Sequence, residues 1–207
     1  MQKLSDQVQQ ELDHVMNDLR QCTPGSLKGL VLEPLALRLL SASNRLFSIT
    51  QLGSKTGGLQ LKETLSLGPL RVIDDMKSED TFMAAITREK DKGDEGVLLV
   101  PRPGFAVVDA VAIVGTGDGR HCLFVQVTVA VKHPVTGPVA TRVLDKLIDR
   151  AGGSDKCALV YALPNNSTFS LFQIQTVPKL AAGVRQYKIA LVPEPADEMA
   201  SKLRKTK

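Results

Sequence analysis

Two stretches of this chain read as interior β-strands that carry polar residues among their apolar ones. FAVVDAVAIV (105–114) holds Asp109 within an otherwise continuous Ala/Val/Ile run, and HCLFVQVTVAVKH (121–133) holds Gln126 and Thr128. Side chains alternate faces along a strand, so residues two apart share a face. Gln126 and Thr128 therefore lie in one row with Phe124 and Ala130, while Val125, Val127 and Val129 line the other. An acid inside an apolar strand costs several kcal/mol unless it is paired, hydrogen-bonded or bound to a metal. The two strands are joined by GTGDGR, a turn rich enough in glycine for a hairpin. That segment lacks the Gly-Lys-Ser/Thr of a phosphate loop and precedes no helix, so it reads as a turn.

The rest of the pattern predicts an α/β protein, a mixed β-sheet flanked by helices with an amphipathic helix at its N-terminus. Leu4, Val8, Leu12, Val15, Met16 and Leu19 give that first helix a narrow apolar stripe, ended by Thr23-Pro24-Gly25. A second helix, from about Leu27 to Ser43, is apolar over most of its circumference, with Glu33 its only acid. FSITQL and LQLKETLSL form a hairpin about Thr56-Gly57-Gly58, and residues 79–92 are either a loop or a short helix. VLLVP is a strand stopped by Pro101 and Pro103. A helix from about Gly137 to Ala151 ends at Gly152-Gly153, and CALVYALP, SLFQIQTV and YKIALVPE follow as β segments. The expected division is an N-terminal helix (1–24), one main domain (25–197) and a basic tail (198–207).

Composition narrows the function classes. With 207 residues and 43% apolar content the chain can bury a real core. Aromatics make up 4% and tryptophan is absent, which disfavours a base-stacking platform for single strands. The net charge of +4 permits a polyanionic partner, but Lys202, Arg204, Lys205 and Lys207 in the tail supply much of it. Cys22, Cys122 and Cys157 lack metal-site spacing and read as isolated small apolar residues in a reducing compartment. No apolar run reaches the ~20 residues of a membrane span, and the polar N-terminus does not resemble a signal peptide.

A helix acid, a strand acid and a polar-x-polar pair on the neighbouring strand form the layout that metal-dependent phosphodiester hydrolysis requires. Carboxylates and neutral oxygens hold Mg²⁺, which polarises the phosphate and supplies hydroxide. Four segments in order extend the likeness. They are GLVLEPLALRLLSASNRLFSITQL, LLVPRPGFAVVDAVAI, LFVQVTVAVKHPV and LVYALPNNSTFSLFQIQ. Together they resemble the divergent PD-(D/E)XK, restriction-endonuclease-like domain of Crinkler effectors and retrotransposon hot spot (RHS) proteins. The resemblance implies a nuclease fold with Mg²⁺ (or Mn²⁺) as cofactor. Glu33, Asp109 and Gln126 would be the metal ligands, and Asp109, Gln126, Thr128 and Lys132 the catalytic positions. Lys132, His133 and Lys146 would contact nucleic acid, with DNA favoured over RNA. It also implies an effector exported to act in the host cell nucleus, with any NTPase module in a longer parent protein.

Two departures from that pattern carry weight. The family's histidine four residues after the helix acid is Leu37 here, and its E-x-K is Q-x-T. The second change removes a negative charge from the metal site and an ammonium from beside the water, so Lys132 or His133 would have to swing in. Two functions from different classes therefore stand: a metal-dependent nuclease, and a fold that has lost catalysis and binds DNA or protein. Self-association through residues 3–21 is a third. Each residue also has a structural reading. Asp109 would pair with a buried arginine such as Arg142, and Glu33, just before Pro34, would face a loop. Gln126 would bond backbone, and Thr128 would serve only as a strand former. Lys132 and His133 would mark an exposed strand end, Lys146 would be solvated, and His14 and His121 would be surface residues.

Overall fold

The computed structural model describes residues 25–42, 46–53, 63–92, 95–128, 135–163, 177 and 183–191. The N-terminal helix, the turn at 56–58, Lys132, His133, most of SLFQIQTV and the basic tail lie outside the described residues. The elements run α1 (Gly25–Ser41), β1 (Leu46–Gln51), β2 (Glu63–Ser66), β3 (Arg71–Met76), α2 (Glu79–Asp91), β4 (Val97–Pro101), β5 (Ala110–Val114), β6 (His121–Val127), α3 (Pro138–Ala151), β7 (Cys157–Leu163) and β8 (Arg185–Ala190). The eight strands among the described residues form one mixed sheet in the order β2-β1-β8-β7-β6-β5-β4-β3. The α/β class and the helix-flanked mixed sheet expected from the sequence are both present.

Strand composition explains the layering. β7 is buried along its whole length and β5 along nearly all of its own, because helices cover both faces of the sheet there. On one face α1 sets Leu32, Ala36, Leu39 and Leu40 against Ala110, Ala112, Val125, Val160 and Ala162. Three of those five sheet residues are alanine, which leaves room for a helix to approach closely. On the opposite face Phe82 and Ile86 of α2 and Val143, Leu144 and Leu147 of α3 pack over Val111, Ile113, Phe124, Leu159 and Tyr161.

Capping fixes where the helices begin and end. Ser78 and Thr81 form a reciprocal capping box that starts α2, so residues 79–91 are a helix and not a loop. α3 begins with Pro138 in its first turn and stops at Gly152, whose left-handed φ of 89° lets its N–H turn back to the Asp149 and Ile148 carbonyls. β6 runs antiparallel to β5, then parallel to β7 after the α3 crossover, and β7 runs parallel to β8. β3, a polar edge strand parallel to β4, was not anticipated.

Candidate metal centre at the β5–β6 divide

Asp109 does not lie inside a strand as its apolar neighbours implied. β5 begins at Ala110, and residues 102–109 form a turn-rich approach to it. Within that approach Val107 has φ of 87°, the one non-glycine residue at positive φ among those described. This conformation is a costly one for a β-branched side chain. It turns the chain out of the β4–β5 loop just before Asp109.

The consequence is a side chain that continues a backbone ladder. The Asp109 N–H donates to the Val125 carbonyl at 2.9 Å, the last regular rung between β5 and β6. The next β6 amide pointing that way, Val127 N–H, donates to Asp109 Oδ2 at 2.7 Å. One carboxylate oxygen is thereby held at the divide where β5 leaves the sheet. Burial pushes the Asp109 carboxyl up to about 6, the Val127 hydrogen bond opposes that rise, and the charge of Glu33 adds to it.

The Glu33 contribution locates the helix acid. Glu33 is half-buried on α1, between buried Leu32 and Ala36, and it is close enough for its charge to raise Asp109. Pro34 follows within the helix, where it deletes one backbone hydrogen bond. The charge of Glu33 is therefore felt at Asp109. Arg142 is not the partner of Asp109, since it is exposed and pairs with Glu79 at 3.8 Å.

Gln126 sits one strand over. Its neighbours Val125 and Val127 face the α1 layer, whereas Gln126 shares the opposite face with Phe124. Its Oε1 is buried and has no hydrogen-bond partner, so it does not bond backbone as a structural glutamine would. A buried amide oxygen in that state carries a desolvation cost of ~1–3 kcal/mol, and a cation or a donor would relieve it. Thr128 follows the end of β6, buried, with its N–H donating to the Ala162 carbonyl at 3.0 Å. Lys146 is exposed on α3 and pairs with Glu79 of α2 at 2.5 Å.

Among the described residues no group of three His, Cys, Asp or Glu side chains could hold a metal ion. A cation resting on Glu33 and Asp109 would find hard oxygen ligands suited to Mg²⁺ or Mn²⁺, whereas Gln126 projects to the face opposite the α1 layer that carries Glu33. Cys122 and Cys157 are buried free thiols on neighbouring strands, both held protonated chiefly by burial. No helix among the described residues is long and apolar enough to cross a membrane.

One polar feature escaped the sequence reading. Gln126 pairs with Tyr161 across β6–β7, Tyr161 with Lys188 across β7–β8, and Lys188 with Thr50 across β8–β1. Lys188 is 3% exposed and Thr50 6%. The signal was available in YKIALV, where a lysine stands inside an apolar strand just as Asp109 stands inside its own apolar run. No family model, curated protein or solved structure matches the chain.

Proposed function

We propose that this chain is a restriction-endonuclease-like domain of the Crinkler/RHS kind that cleaves nucleic acid, DNA in preference to RNA, by metal-dependent phosphodiester hydrolysis. The observation that supports it best is Asp109 at the end of the β5–β6 ladder, one oxygen held by the Val127 amide and the carboxyl raised by burial and by the charge of Glu33. A shared divalent cation would offset the repulsion between two neighbouring acids.

Glu33 and Asp109 would hold Mg²⁺ or Mn²⁺, which when bound polarises the phosphate and lowers the pKa of attacking water; Gln126 would join them only by reaching round the end of the sheet from its opposite face. The Val127 amide fixes one oxygen of Asp109, leaving the other for a ligand. Replacing the usual glutamate by Gln126 lowers the negative charge of the set and hence its affinity for the ion. Lys132 and His133 remain candidates for nucleic-acid contact. Export and action in a host nucleus are part of the same proposal and rest on the resemblance alone.

The second reading, a fold that binds DNA or protein without cutting, draws on the same hydrogen bond. Asp109 as a ladder cap is a sufficient structural role. Plasmid incubated with Mg²⁺ or Mn²⁺ separates the two. The nuclease reading expects metal-dependent nicking that falls ~100-fold or more in Asp109→Ala. DNA binding with no cleavage in either metal would sink it in favour of the binding fold.

A further inference from the structure

We propose that α2 is a homodimer surface, pairing antiparallel with α2 of a second copy of this chain about a two-fold axis at Ala84. The proposal stands apart from the nuclease reading and needs no metal.

The placement rests on the exposed stripe of α2. One side of this helix is spent on the core through Phe82, Met83, Ala85 and Ile86. The other side centres on Ala84, which is exposed. At about 100° per residue, positions three, four and seven away from Ala84 all fall within about 60° of it. Those positions read alike in both directions, with the charges inverted. Asp80 stands four residues before Ala84 and Arg88 four after it, while Lys77 stands seven before and Asp91 seven after. Thr81 and Thr87 lie three to either side. All four charged residues are exposed.

Such a stripe complements itself in one orientation only. A two-fold axis through Ala84 sets Asp80 against Arg88 of the second copy and Lys77 against its Asp91, and symmetry makes each pairing twice. Two parallel copies in register would instead set every charge against its like. The small side chain of Ala84 at the crossing lets the axes approach to the ~8 Å lower end of helix packing distances.

The neighbouring surface has the matching shape and polarity. A groove of about 410 Å³ runs between α2 and the end of α3, past Met83 and Thr87. Asp80 enters it from the first turn of α2, and Arg88 and Arg150 from the last turns of α2 and α3. It is therefore negative towards one end and positive towards the other, the polarity that an antiparallel copy completes. Arg88 gives its Nε to Glu89 at 2.8 Å, which leaves the terminal nitrogens of its fork for an acid across the axis.

One helix from each copy makes a small interface, so a dissociation constant of roughly 10–100 µM that rises with salt is expected. Sedimentation of the full chain at about 0.2 mM and low salt reads it directly. Wild type should be dimeric and should dissociate as salt is added. Ala84→Glu, a helix-compatible change at an exposed position, sets two carboxylates on the axis and should weaken association at least about tenfold. Asp80→Lys/Asp91→Lys makes the stripe wholly basic and should do the same. Lys77→Glu/Asp91→Lys exchanges one pair of charges across the axis and should keep the dimer within about threefold of wild type. A monomeric wild type at that concentration overturns the proposal. So does a dimer that folded Ala84→Glu and the basic variant leave intact, since association would then run through another surface such as residues 3–21. Where Ala84→Glu does not fold, the two charge variants decide. Loss in the basic variant with retention in the exchanged one supports the pairing, and equal behaviour of the two overturns it.

Discussion

Glu89 and Asp109 are both acids that the fold withdraws from water, and their surroundings treat them in opposite ways. Glu89 on α2 is 2% exposed but receives Arg71 Nη2 at 2.7 Å and Arg88 Nε at 2.8 Å, with Lys92 Nζ at 3.8 Å. Burial pushes its carboxyl up, yet the hydrogen bonds from Arg88 and Arg71 outweigh that and hold it below the ordinary carboxylate range. Asp109 receives one backbone amide and a second acid, and its carboxyl rises to about 6. A buried acid supplied with cations is a fastening. One supplied with another acid keeps its carboxyl raised.

The comparison can be broken most decisively at Asp109. A folded-state pKa raised above the unfolded value gives stability that is complete below pH ~3.8 and lost as pH rises through about 6. The shift from 3.8 to about 6 corresponds to as much as ~3 kcal/mol. Asp109→Asn keeps an acceptor for Val127 N–H and removes the charge. Denaturant melts should therefore show it more stable than wild type by up to ~3 kcal/mol at pH 8, with the gain gone by pH 4. An Asn variant that is less stable at pH 8 would show the carboxylate to be a structural cap.

Glu89→Gln should move the other way, losing about 1–2 kcal/mol at pH 7, a figure reduced because Arg71 and Arg88 are half-exposed. Its folded pKa is lowered, so the stabilisation is present above the carboxylate range and disappears as pH falls through it. The difference between wild type and Glu89→Gln should shrink on acidification, opposite in slope to the Asp109 pair.

Mn²⁺ sharpens the contrast further. At ten times its dissociation constant it should stabilise wild type by ~1.4 kcal/mol in a thermal or denaturant melt. It should do the same for Glu89→Gln and nothing for Asp109→Asn. Equal stabilisation of all three would place the ion elsewhere. The smallest effect belongs to the exposed pair of Lys146 and Glu79. Lys146→Ala should change stability by no more than ~0.5 kcal/mol, and by the same logic should leave DNA affinity nearly untouched.

Much of this fold was legible because apolar runs bounded by turn residues are unambiguous when buried on both sides. VLLVP and CALVYAL occupy the predicted strands, and Pro138 with Gly152 mark α3 as expected. β3 was missed because RVIDDM is an edge strand whose polar residues need no burial. Asp109 was recognised, but its place in the strand was not. The backbone reversal at Val107 has no residue signature, since valine is a poor choice for positive φ. Glu89 was hidden in the charged run TREKDKG, where nothing in one dimension distinguishes the one acid that points inward. Convergence of Glu33 with Asp109 was expected only through resemblance, because helix-to-sheet proximity is a property of tertiary packing.

β8 is the last strand among the described residues, yet it lies inside the sheet, between β7 and β1. On that side of β1, Ile49 pairs with Ile189. As the chain leaves the ribosome, the β1–β2 hairpin and the β3–β7 block must wait as two separate pieces, each with a raw strand edge. Such edges are prone to wrong pairing, and contacts so distant in sequence form slowly. The same insertion delivers Lys188. A chain interrupted before β8 would thus carry the acids of the β5–β6 divide without the buried ammonium, so assembly of the sheet and assembly of the charge row finish in a single event.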